Sequence, residues 1–94
     1  MTETTADTRN NIALSRFELD TGEGMAVANY RLSPGILTFH HTEVPQQLRG
    51  RGIASQLIHD ALIQARAEGL KIVPRCDFVR HYVGIHPEFS DLLA

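Results

Sequence analysis

The chain has 94 residues, which is room for one small domain with a single core and not for two. Apolar residues make up 43% and charged residues 21%, which excludes a disordered chain, and no apolar run approaches the roughly 20 residues that a membrane-spanning helix needs. Nine Lys and Arg against eleven Asp and Glu leave a net charge of -2, which argues against a broad footprint for nucleic acid or an anionic membrane but leaves room for a local basic cluster.

Residues 1–11 are polar and Thr-rich, without the basic-then-apolar layout of a signal peptide, and they read as a flexible N-terminal tail. Residues 12–94 read as a single domain. Ser15 to Leu19 alternates, with Phe17 and Leu19 on one face, and Asp20 to Gly24 is a turn. Met25 to Leu32 is a second alternating run, with Ala26, Ala28, Tyr30 and Leu32 sharing a face. Ser33-Pro34-Gly35 is a turn, and Ile36 to Val44 is a third strand rich in β-formers. Three such runs joined by short turns predict an antiparallel meander.

From Ile53 the period changes. Apolar residues at 53, 54, 57, 58, 61, 62 and 65 make a helical stripe several turns long, and Gly69 stops it. Leu70 to Val73 is a fourth strand, closed by Pro74. Strand, helix and strand in this order predict a right-handed crossover with the two strands parallel. Asp77 is placed to cap a last helix carrying Phe78, Val79, Tyr82 and Val83, which Pro87 ends. Phe89, Leu92 and Leu93 can pack the tail behind it. The fold class is α/β. The lone cysteine, Cys76, excludes an internal disulfide and a Cys-based zinc site, and a free thiol suits a reducing, cytoplasmic setting. His81 and His86 have no metal-ligand spacing with His40 or His41, so no metal is expected.

The segment between Val44 and Ala54, VPQQLRGRGIA, joins a strand to the start of the longest helix. Unpaired amides and the positive dipole end, two glycines that permit close backbone approach, and Arg49 and Arg51 together suit a phosphate or pyrophosphate. A Gly-rich turn with two solvated arginines is the plainer alternative. No nucleotide P-loop sequence is present, and no acid ends the strand after the helix as a dinucleotide fingerprint requires. A nucleotide-phosphate binder therefore has little support.

Gln47-Leu-Arg-Gly50-Arg-Gly52-Ile-Ala54 resembles the coenzyme A pyrophosphate loop of the GNAT superfamily of N-acetyltransferases. His41-Thr-Glu-Val-Pro45 before the loop, and Pro74-Arg-Cys76-Asp-Phe-Val79 and His86-Pro-Glu88 after it, are similar to the small stand-alone Yjdj-type group. The resemblance covers roughly residues 15–92. It implies a compact GNAT-like fold and acetyl-CoA held by the amides and arginines of Arg49, Gly50, Arg51, Gly52, Ile53 and Ala54. The pantetheine arm would pair with the backbone of Thr42 to Val44 as an added strand. It also implies acetyl transfer to an unidentified amine by direct attack on the thioester.

Glu43 is placed like the strand glutamate that serves many relatives as general base. His41, two residues away on the same strand and face, carries an imidazole, a side chain suited to general-base work. A surface acid and a strand-end histidine are the plainer alternatives. His40 alternates away from both and reads as packing or solvent-facing. Cys76 could protonate the leaving thiolate or accept the acyl group, or be a small buried hydrophobe. Tyr82 lies where many relatives carry a general-acid tyrosine, or is a core tyrosine.

Full-size relatives have helices between the first two strands, whereas here the link is only Asp20 to Gly24. This implies an acceptor pocket that is open or completed by a partner, with a homodimer as one form of it. The rival function is a CoA-binding or sensing module without efficient turnover.

Overall fold

The structure is a computed structural model and describes residues 8–94. Five strands form one sheet in the order β1 (Thr8–Asn11), β2 (Arg16–Asp20), β3 (Met25–Ser33), β4 (Ile36–Glu43) and β5 (Lys71–Pro74). The first four are antiparallel neighbours and β5 runs parallel to β4, as the crossover rule predicts. Two helices, α1 (Ile53–Ala67) and α2 (Asp77–Ile85), complete the set with short 3-10 turns at Ile12–Leu14, Gln46–Leu48 and Pro87–Leu92.

The core lies between one sheet face and the helices. Phe17, Leu19, Ala26, Ala28, Tyr30, Leu37, Phe39 and Ile72 supply the sheet side. Leu57, Ile58, Ala61, Leu62 and Ala65 of α1 and Val79, Tyr82 and Val83 of α2 supply the other, and Phe89 and Leu92 close the end. The rings of Phe17, Tyr30 and Phe39 lie 5.4–6.4 Å apart at its centre. The helical stripe thus does what its period predicts, except at its head, where Ile53 and Ala54 are only half-buried.

Three expectations are corrected. Residues 8–11, read as tail, form β1, while residues 1–7 lie outside the described residues. The reason is polar. The Thr8 hydroxyl donates to Asp60 at 2.6 Å, Gln64 Nε2 donates to the Thr8 carbonyl at 3.0 Å, and the Tyr30 hydroxyl donates to Asn10 at 2.6 Å. No apolar pattern announces such tethers. Leu32 is 57% exposed despite lying on the same face as Tyr30. β2 begins at Arg16, opposite Asn29, so Leu32 lies past the β2 pairing, and among the described residues no strand covers that side. Asp77 is the first helical residue of α2 rather than its cap. Cys76 takes the cap position with extended backbone, and the Asp77 carboxylate accepts from Arg80 at 2.9 Å.

Strand β4 is irregular where it matters. Asn29 pairs with His41 and Tyr30 pairs with Phe39, so His40 is an extra residue, a β-bulge. The bulge reverses the alternation. Leu37 and Phe39 face the helices, and beyond the bulge Thr42, opposite the buried Ala28, takes that side. His41 and Glu43, opposite Asn29 and Val27, face away from the helices.

Candidate functional site

The segment Pro45 to Gly52 is held against the turn between β2 and β3. Leu48 is 1% exposed and anchors it. A Cβ added to Gly24 would lie 3.2 Å from Pro45 and 3.3 Å from Leu48, so the turn and the loop are in close contact. Glu23 in the same turn accepts from Arg51 at 2.7 Å through its carboxylate, and from Gln47 at 3.3 Å through its carbonyl. The short link between β2 and β3 therefore buttresses the loop.

Gly50 and Gly52 have φ of +83° and +76°, in the left-handed region where other residues are strained. A Cβ at either would meet no protein atom within 4 Å, so the space beside them is open. The first α-helical bond runs from Gln56 N to Gly52 O at 3.0 Å, and Gly52, at the N-cap, has no side chain to cap the end. The amides of residues 53–55 therefore point out of the helix into that space. Val44, Leu48, Arg49, Gly50, Gly52, Ile53, Ala54, Ser55 and Phe78 line a cleft of about 260 Å³ there. The half-buried Ile53, Ala54 and Phe78 thus line the site, and Ile53 and Phe78 also pack against the edge of the core. Arg49 hydrogen-bonds the Val44 carbonyl at 3.3 Å and stays beside the cleft. Arg51 turns to Glu23, so the two arginines are not equivalent.

A second cleft, of about 350 Å³, shares Val44, Arg49, Ala54 and Phe78 with the first and extends to His41, Thr42 and Glu43. The two are continuous. His41 Nε2 lies 3.9 Å from Glu43 Oε2, so the pair shares a face and both are exposed. The β4–β5 ladder ends at Phe39 and Pro74, and the Phe39 carbonyl accepts from both Arg75 N and Cys76 N at 2.9 Å. Beyond that point the strands part, which leaves one edge of His41 to Glu43 without a β5 partner. Half-buried Cys76 sits in the opening with its Sγ 3.3 Å from the Thr42 hydroxyl.

The sequence profile of the GCN5-related N-acetyl-transferase family matches residues 16–92. The chain belongs to the GCN5-related N-acetyltransferase family. Protein NATD1 of Gallus gallus and of Mus musculus are each 42% identical to it over 52 residues, which is 55% of this chain and 47% of theirs. Protein NATD1 of Homo sapiens is 42% identical over the same length, 46% of its own chain. The match thus spans about half the length of these curated relatives. A Staphylococcus aureus protein described as GCN5-like, solved in solution by NMR, superposes with a TM-score of 0.72 at 22% identity, covering 98% of this chain and 91% of that one. That likeness places the fold among the GCN5-related structures.

Within this GCN5-related frame the structure brings together Arg49, Gly50, Gly52, Ile53, Ala54, Val44, Thr42, His41 and Glu43 along one cleft, with Cys76 against Thr42. Tyr82 is elsewhere. It is 5% exposed and its ring stacks on His86 at 3.9 Å. Burial, with help from Glu88 and Asp60, raises its pKa, as expected of a core tyrosine. His86 bonds the Tyr82 carbonyl at 2.9 Å. Among the described residues, no three His, Cys, Asp or Glu side chains gather as metal ligands, and no helix is long and apolar enough to cross a membrane.

Two site features escape sequence reasoning. One is the Thr42 hydroxyl beside Cys76, which strict alternation from Phe39 would have put on the other face. The other is Phe78 as a cleft wall, which its helical position assigned to the core. A bulge leaves no reliable signature in a single sequence.

Proposed function

We propose that the chain is an acetyl-CoA-dependent N-acyltransferase acting on a small amine. The observation that carries this reading is the single continuous cleft from the uncapped start of α1 to His41, Thr42 and Glu43, with Cys76 against Thr42. The residues present suit acetyl-CoA. Its pyrophosphate would lie on the amides of residues 53–55, with Gly50 and Gly52 leaving room and Arg49 supplying charge. Its pantetheine arm would pair with the unpartnered edge of Thr42 to Val44. When bound, it supplies an acyl thioester, an activated carbonyl with a good leaving group.

The chain's own residues have three tasks. His41 or Glu43, on the exposed face of β4, takes the first proton from an ammonium acceptor so that the nitrogen can attack. The open β4 edge and the adjacent α2 start offer amide donors to the thioester carbonyl. Cys76, or the Thr42 hydroxyl against it, is placed to hand a proton to the departing sulfur. An ammonium acceptor loses two protons overall, one to solvent through the base and one that ends on the thiol. Direct attack requires no covalent adduct on the enzyme.

Calorimetry with CoA and transfer assays with a panel of amines test this reading. Micromolar CoA binding and saturable acetylation of at least one amine are expected. CoA binding with no transfer to any amine would instead favour a CoA-binding or sensing module.

A further inference from the structure

The sheet face away from the helices carries a second cleft that the donor site does not use. It has a volume of about 450 Å³ and is lined by Arg31, Ser33, Thr38, His40 and Arg75. That size suits a small molecule. The register explains the gathering. Arg31 and Thr38 are cross-strand partners and Ser33 lies two residues further along β3, on the same side. Arg75 follows the end of β5 beside them. His40 joins by ordinary alternation, two residues along β4 from Thr38, and the bulge after it turns His41 to the same face.

The chemistry of the cleft is one-sided. Two guanidinium groups, two hydroxyls and an imidazole line it, and among the described residues no carboxylate does. Among the described residues, neither Arg31 nor Arg75 forms an ion pair. Glu18, on the same sheet face, is held by Arg16 at 2.7 Å, and Glu43 lies 3.9 Å from His41. A chain of net charge -2 thus keeps two unpaired arginines facing one opening. Such a pair favours an anionic group and disfavours a polycation.

The position ties this cleft to the transfer site. His40 adjoins His41, and both lie on the same sheet face. Arg75 adjoins Cys76, and the amides of both bond to the Phe39 carbonyl where β4 and β5 part. An acceptor held by the cleft would therefore present its amine next to the proposed bases, from the face opposite the helices.

We propose that this cleft is the acceptor subsite and that the acceptor is a small amine bearing an anionic group, carboxylate or phosphate, bound by Arg31 and Arg75 with Ser33, Thr38 and His40. The inference rests on the transferase reading above. It predicts that polyamines and other multiply cationic amines are poor acceptors.

Two measurements test it. In amide-resolved NMR at constant ionic strength, inorganic phosphate and acetate are titrated separately into the free protein. Shifts are expected at Ser33, Thr38, His40 and Arg75, and the tighter of the two anions identifies the group preferred. The double variant Arg31→Gln, Arg75→Gln should weaken that binding at least tenfold while CoA affinity stays within about twofold, which also reports that the variant is folded. In transfer assays, phosphoethanolamine and glycine are compared with ethanolamine and with a diamine. A preference in kcat/KM of at least tenfold for an anionic amine is expected, and the double variant should abolish that preference. Anion shifts confined to residues 50–55, or equal acetylation of neutral and anionic amines, would overturn the acceptor assignment and leave the transferase reading standing. No transfer to any amine despite intact CoA binding would overturn both.

Discussion

Gly52 shows how much one residue can carry. Its φ of +76° places it where a β-branched side chain is strongly disfavoured, and the space a side chain would enter faces the amides of residues 53–55. Gly52→Val is expected to weaken CoA binding at least tenfold, about 1.4 kcal/mol, in a protein that still folds. Unchanged CoA affinity in a folded variant would remove the loop from the site. Arg49 and Arg51 differ by their partners. Among the described residues Arg49 bonds only a carbonyl, at 3.3 Å, whereas Arg51 is paired with Glu23 at 2.7 Å. Arg49→Gln should therefore cost CoA affinity and flatten its salt dependence, and Arg51→Gln should do so less. Equal losses from the two would show that Arg51 leaves Glu23 when ligand arrives. Cys76, whose Sγ hydrogen-bonds the Thr42 hydroxyl at 3.3 Å, is expected to act without forming an acyl-enzyme. Cys76→Ala should retain part of the activity, and intact mass after incubation with acetyl-CoA alone should show no stable adduct. An obligatory adduct with ping-pong kinetics would replace direct attack with a two-step route.

At the level of elements, β1 is joined to α1 by polar contacts. Burial alone would raise the Asp60 pKa, but hydrogen bonds from Thr8, Gln56 and His59 outweigh it, and the carboxyl lies below its ordinary value of 3.8. A folded pKa below the unfolded one gives stability that is present above the unfolded pKa and lost as pH falls through the folded one. The protein should thus lose stability in acid, below about pH 4, partly through Asp60. Asp60→Asn should be less stable than the parent at pH 7, with the gap narrowing at pH 3, as read from urea midpoints. A gap independent of pH would mean that the Thr8 contact is not proton-linked. The bulge in β4 is the other decisive element. If β4 alternated regularly through His40 instead of bulging there, Thr42 would face away from the helices and His41 toward the core.

At the scale of the whole molecule, the domain closes its core with its own C-terminal segment. Phe89 is 2% exposed, packs on Tyr82 and His59 at ring distances of 6.1 and 5.8 Å, and lies under Arg66. Arg66 and Lys71 hold the same segment, bonding Asp91 at 2.6 and 2.7 Å. Phe89→Ala is expected to cost about 3–5 kcal/mol, a large share of the ~5–15 kcal/mol that holds a typical domain. Denaturant unfolding that shifts by less than ~1 kcal/mol would show that the segment is an appendage rather than part of the core.

The sequence by itself determined four of the five strands, both helices and their order. Alternation in residues 16–43 and the 3.6-residue stripe from Ile53 report burial on one side of a strand or helix, and burial is what a hydrophobic pattern records. The glycines and arginines before α1 were legible for a similar reason, since special backbone geometry and charge are properties of residue type. Three things were decided only by tertiary structure. β1 depends on side chains of residues 30, 60 and 64, which sequence separation hides. The face that His41, Thr42 and Glu43 occupy depends on a one-residue bulge, set by how β4 pairs with β3. The anionic preference proposed for the acceptor depends on Arg31 and Arg75, 44 positions apart in the chain, which come together only because β5 returns parallel to β4 and brings the second guanidinium across from the first.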